Sequence, residues 1–150
     1  MSLQIPEIKI SVSFDKKLKR SEYFKIKSSR DCYEAFTKVF NADTINWCEE
    51  FLMLCLNNSN QVMGFYKVSS GGVTGTIVDP KVVFTIALNC CATSIILAHN
   101  HPSGKLIPSD ADILITKKLK EGAKTLDIQI LDHLIITNES FYSFNDEGQL

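Results

Sequence analysis

The strongest constraint on the fold is Ser94-Ile95-Ile96-Leu97-Ala98, a short apolar run that ends in His99-Asn100-His101-Pro102-Ser103-Gly104. A run of this length, with β-branched residues at its centre, predicts a strand buried on both faces. Side chains two apart in an extended chain share a face, so His99 and His101 project together from the strand's end while Asn100 points the other way. Pro102 cannot donate to a ladder and Gly104 relaxes backbone sterics, so the strand stops and a loop begins. Pro108-Ser109-Asp110-Ala111-Asp112 then predicts a helix opening at Ser109, with Asp112 in its first turn. Two imidazoles from a strand end and a carboxylate from a helix start make a three-ligand set for Zn²⁺. One coordination position is left to water, which is the pattern of a catalytic rather than a structural site.

Plainer readings exist for the same residues. Ser109 with Asp112 three positions on fits a capping arrangement, and Asp in a first turn complements the helix dipole. A lone His at a strand end is more often a satisfied polar residue than a ligand. Two at same-face spacing, followed at once by a breaker and a capped helix, favour the metal. His-Asn-His also matches a nuclease tripeptide, but three residues are too few to carry that assignment.

His99-x-His101-Pro102, six residues, Ser109, two residues and Asp112 together resemble the JAMM (JAB or MPN+) metal motif. The surrounding words, Ile95 to Gly104 and Leu131-Asp132-His133-Leu134-Ile135-Ile136, resemble the RadC branch of that family, from about Ser28 onward. The resemblance implies an α/β fold of the JAB type, related to cytidine deaminases, with zinc held by His99, His101 and Asp112. It also implies a Glu at the start of an upstream central strand as general base, and Ser109 at the oxyanion of an attacked carbonyl. Glu49 and Glu50 both stand before Phe51, and the Glu-x-Phe pattern of the RadC branch selects Glu49, since Glu50 would face the other way. A solvated strand entrance is the plainer reading of both. Asp132 either orients its strand end or accepts a bond from a ligand His, and a simple turn accounts for Asp132-His133 equally well. His133 is not counted as a metal ligand. A deaminase would need His-x-Glu and a later Pro-Cys-x-x-Cys, and neither occurs.

With 150 residues, 45% hydrophobic and 22% charged, the chain has the composition of one globular domain. A net charge of −1 argues against a strong sequence-independent grip on DNA or an anionic membrane. No apolar run approaches the roughly 20 residues needed to span a bilayer, and residues 1–7 lack the features of a signal peptide. Five cysteines, an odd number without a Cys-x-x-Cys pair, read as small buried hydrophobes in a reducing compartment. A cytoplasmic location is the resulting expectation.

The chain divides into an N-terminal extension, 1–27, and a RadC-like JAB domain, 28–150. In the extension, Ile8 to Phe14 alternates apolar and polar residues, Lys16, Lys17, Lys19 and Arg20 form a basic turn, and Glu22 to Ile26 reads as a second strand. A β-hairpin is expected there. A first helix from Ser28 or Ser29 to about Asn41 presents Tyr33, Phe36, Val39 and Phe40 to the core. Phe51–Asn57 and Val62–Val68 form a hairpin of central strands joined by Asn and Ser residues, and Thr74–Val78 a further short strand. Asp79 caps a second helix from Pro80 to about 92. The third helix buries Ile115, Leu119, Ala123 and Leu126. Ile128–Ile136 and Phe141–Phe144 end the chain as strands. Strands and helices interleaved in this way predict an α/β fold with a mixed sheet and about three helices.

Three functions compete. The first is a zinc-dependent hydrolase acting on a peptide or protein substrate. The second, which the name RadC brings with it, is a DNA-repair accessory. Its support is weak, because no aromatic-studded basic strand stands out and the helix-hairpin-helix region common in that branch is not found in these residues. The third is a protein-binding module with a vestigial metal site, against which the complete His, His, Asp, Ser and Glu set argues.

Overall fold

The two central apolar runs of the sequence become the middle of one sheet. In the computed structural model, which describes residues 3–72 and 75–150, strand β1 spans Glu50–Leu56 and β3 spans Ser94–Asn100, and every residue of both is buried. With β2 (Val62–Ser70), β4 (Gln129–Ile136) and β5 (Phe141–Ser143) they form a five-stranded sheet in the order β2-β1-β3-β4-β5. β1 is antiparallel to β2 and β3, β3 is parallel to β4, and β5 is antiparallel to β4. Three helices complete the expected mixed α/β fold: α1 (Ser29–Thr37), α2 (Pro80–Asn89) and α3 (Asp110–Thr125). Each opens on a side-chain cap, from Ser28, Asp79 and Ser109 respectively.

Period-two alternation sorts β1 between two cores. Leu52, Leu54 and Leu56 share a core with Phe36 of α1 and with Phe40 from the turns that follow it. Phe51, Met53 and Cys55 face the opposite layer, in which Val83 and Ala87 of α2 and Leu119 and Ala123 of α3 are buried. A strand covered on both sides has no polar face to show, hence the unbroken apolar spelling. The parallel β3–β4 pair requires a crossover, and α3 supplies it. The crossover sets the N-terminus of α3 beside the C-terminal end of β3.

Several expectations need correction. The strands expected at 8–14 and 22–26 do not pair with each other. Residues 3–14 form no strand, Arg20–Glu22 is a 3-10 turn, and Lys25 makes a single bridge to Gln61. Ile8 and Ile10 stay 86% and 72% exposed, because alternation fixes a strand only where a face is available to bury it. Phe14 touches the edge of the sheet: its ring lies where a Cβ on Gly64 would come within 2.9 Å. β2 is an edge strand rather than a central one. α1 ends at Thr37, short of Asn41, and continues as turns that bring Phe40 into the core. Of the strand expected at 74–78, Thr74 lies outside the described residues, and Gly75 makes only a bridge to Gly72. Leu126, placed on the buried stripe, is 39% exposed.

No disulfide joins the described cysteines: Cys32 and Cys55 are buried, Cys48 and Cys90 half-buried, and Cys91 exposed. Burial, with Asp132 adding to it, pushes the Cys32 thiol up to about 12, and burial beside Cys90 does the same for Cys55. Thiols that stay protonated are poor nucleophiles. Peptide mapping after mild alkylation of the folded protein is therefore expected to show Cys91 modified, with Cys32 and Cys55 modified only after denaturation. Early labelling of Cys32 would contradict this packing.

Candidate metal centre

β3 carries His99 and Asn100 at its last two positions, and His101 follows as the chain leaves the sheet. Asp112, in the first turn of α3, meets both imidazoles: Oδ1 is 3.1 Å from His99 Nε2 and Oδ2 is 3.4 Å from His101 Nε2. The two Nε2 atoms are 3.0 Å apart. Zinc–nitrogen and zinc–oxygen bonds of about 2.0–2.1 Å put the corners of a tetrahedron roughly 3.3 Å apart. The two nitrogens and the carboxylate, which meets each of them with a different oxygen, make contacts of that size, and one donor atom from each residue lies within 4.8 Å of the other two. His99, His101 and Asp112 form the only such donor group among the described residues.

Charge in the trio is shared. A hydrogen bond from His101, with the neighbouring imidazole of His99 and the Ser109 hydroxyl, outweighs the desolvation of the Asp112 carboxyl and holds it well below the usual carboxylate range. The same hydrogen bond raises the pKa of His101, against partial burial, with smaller help from the Lys105 carbonyl and the charge of Glu49. His101 Nδ1 lies 2.7 Å from the Lys105 carbonyl. A carbonyl only accepts, so Nδ1 carries the proton and Nε2 turns to the centre.

Glu49 and Glu50 part company as the alternation requires. Phe51 pairs with His99 across β1 and β3, so the same register sets Glu49 level with His101. Backbone bonds to Gly71 and Gly72 fix Glu49 there. It lines an open cleft of about 520 Å³ together with Phe51, His99, His101, Ser109 and Asp112. Glu50 is buried and ion-paired with Lys67. Ser109 sits at the cleft as the N-cap of α3, giving its hydroxyl proton to Asp112 Oδ2 at 2.7 Å and accepting from Asp112 N at 3.2 Å. The cap formed by Ser109 and Asp112 thus leaves the Asp112 carboxylate beside both imidazoles.

Behind the donor trio lies a layer that no local sequence pattern marks. A bulge in β4 opposite Ile95 and Ile96 turns His133 onto the same face as His99. His133 Nε2 is 2.9 Å from His99 Nδ1, and His133 Nδ1 is 2.6 Å from Thr116 Oγ1. Complete burial, stacked on Phe144 and beside Phe51, lowers the pKa of His133 well below its ordinary value and keeps it neutral. Asp132 does not reach a ligand His. It binds Ser143 Oγ, Asn145 N and His133 N, and so holds the β4–β5 end in place.

A family model described as the RadC-like JAB domain matches residues 26–149. The chain belongs to this family. Among its relatives, a UPF0758 protein of Flavobacterium johnsoniae is 50% identical over 124 residues, 83% of this chain and 53% of the relative. A UPF0758 protein of Methanosarcina mazei is 42% identical over 124 residues, with the same two coverages. The UPF0758 protein YfjY of Escherichia coli is 43% identical over 102 residues, 68% of this chain and 64% of that protein. The chain spans about half the length of the first two of these relatives.

In this RadC-like domain Asn100 has a task of its own. Pointing away from the histidines, its Oδ1 accepts from Glu50 N at 2.8 Å. Its Nδ2 donates to the carbonyls of Ile45 (2.6 Å) and Cys48 (2.8 Å). It thereby clamps the segment that brings Glu49 to the cleft. Asn100→Ala orphans three main-chain groups, each costing roughly 1–3 kcal/mol when buried. A loss of about 3 kcal/mol or more in urea unfolding is expected. A loss under about 1 kcal/mol would show that the clamp carries no weight.

Proposed function

We propose that this RadC-like JAB domain is a zinc-dependent hydrolase that cleaves a peptide or isopeptide bond in a peptide or protein substrate. The observation that carries the proposal is the meeting of two Nε2 atoms 3.0 Å apart with the Asp112 carboxylate, whose two oxygens lie 3.1 and 3.4 Å from them, with a second carboxylate, Glu49, in the same cleft. His99, His101 and Asp112 hold the ion. A divalent ion in this set supplies a Lewis acid that polarises a carbonyl and acidifies water toward pH 7. Glu49 takes the proton of the attacking water and passes it to the departing amine, the two halves of general acid–base catalysis. Ser109 faces the oxyanion that develops on the carbonyl. To donate there it must turn its hydroxyl away from Asp112 Oδ2.

No described helix is long and apolar enough to cross a membrane. Together with the unpaired cysteines, this supports a cytoplasmic site of action.

Zinc-loaded protein incubated with a broad peptide library and with isopeptide-linked protein substrates tests the reading. Cleavage that stops on chelation and returns with zinc is the expected result. A chain that takes up zinc and cleaves neither substrate class overturns the hydrolase assignment and leaves a metal-bearing binding module.

A further inference from the structure

Resting on that metal reading, we infer that Thr116 and His133 are positioning residues that place the proton of His99 on Nδ1 and so turn a bare Nε2 toward the centre. The direction of the hydrogen-bond chain follows from what each group can do. The main-chain carbonyl of Asp112 is an acceptor only, and Thr116 Oγ1, 2.6 Å from it, has a single proton to give. With that proton committed, Thr116 Oγ1 can only accept from His133 Nδ1 at 2.6 Å. A neutral imidazole carries one N–H, so His133 Nε2 is bare and accepts from His99 Nδ1 at 2.9 Å. His99 Nε2 is then the lone-pair nitrogen, 3.1 Å from Asp112 Oδ1.

Two separate elements converge on this polarity. α3 contributes Asp112 as a ligand through its side chain and, one turn later, Thr116 as the terminus of the relay. β4 contributes His133 through its bulge. The two ligand histidines are oriented by different means: His101 by the Lys105 carbonyl and His99 by a buried imidazole. A histidine serving only as core filling would need no defined tautomer, and the threonine back-bond alone is common in helices. Joined end to end, they leave one tautomer for each ring. Outer partners of this kind are worth roughly 10–100-fold in metal affinity.

The experiment combines nitrogen-15 imidazole spectra of the metal-free protein with zinc affinity by chelator competition, using wild type, Thr116→Val, Thr116→Ser and His133→Phe. In the wild type both His99 and His133 are expected to be protonated at Nδ1. A bare Nδ1 on either ring overturns the inference. Thr116→Val removes the acceptor at nearly constant volume, so His133 should change tautomer and zinc affinity should fall by roughly 10-fold or more. Thr116→Ser should restore both. His133→Phe is expected to weaken zinc within the same 10–100-fold range. Should it fail to fold, the threonine pair still decides. Unchanged affinity and unchanged tautomers in Thr116→Val overturn the relay while leaving the metal centre standing. A wild-type chain with no zinc affinity removes the metal reading itself, whatever the tautomers show.

Discussion

His101→Ala is expected to lower zinc affinity by on the order of 100-fold or more while leaving the fold in place. Sites of this kind bind zinc with roughly 10 kcal/mol or more, and three protein ligands sharing that leave about 3 kcal/mol with each, a factor of about 100. His101 is the ligand to remove because it lies at the rim, half-buried, whereas His99 is enclosed and its loss would open a cavity. Metal content after dialysis and chelator competition measure the effect; equal zinc in variant and wild type would end the three-ligand account. The metal-free protein offers a second readout. The pKa of His101 is raised in the folded chain by its bond to Asp112. The stabilisation it gives is therefore complete below its ordinary value of 6.5 and is lost as pH rises through the raised one. Asp112 is shifted the opposite way, so its share is present above 3.8 and lost on acidification. Zinc and the His101 proton compete for one lone pair, so zinc affinity should rise over the same pH interval in which metal-free stability declines. In His101→Ala that alkaline decline should vanish.

The meeting of His99, His101 and Asp112 is legible in the sequence because each position rests on a local rule. Period-two geometry puts His99 and His101 on one side, and Ser109 capping puts Asp112 in a first turn. The mixed sheet followed from apolar runs that only a doubly covered strand can hide. The features that no local pattern carries depend on partners distant in sequence. His133 reaches the centre through a one-residue bulge in β4, and a bulge reverses every later side chain without leaving a mark in composition. Alternation points Asn100 away from the site, but its partners Ile45, Cys48 and Glu50 lie some fifty residues back along the chain. The alternation at Ile8–Phe14 is equally clear in the sequence, and it misled because no other strand is there to receive it.

Glu49→Gln is expected to cut turnover by about 10²–10⁴-fold, the usual worth of a positioned general base, with zinc content and unfolding free energy nearly unchanged. The amide keeps the shape and the main-chain bonds to Gly71 and Gly72 but cannot accept a proton. Its neighbour provides the control. Glu50→Gln breaks the pair with Lys67, whose side chain is 46% exposed, so the stranded ammonium can turn to water. A stability loss of about 1 kcal/mol or less and unaltered turnover follow. The two carboxylates adjoin in sequence and lie on opposite faces of the sheet, so the pair of variants separates register from charge. Equal rate losses in both would mean that what matters is the acidic entrance of β1 as a whole. A loss confined to Glu50→Gln would place the strand one residue out of the register seen here, moving the base to the face covered by α1. Only a large effect at Glu49 alone, with zinc still bound, fits a proton carried between water and leaving group beside His101.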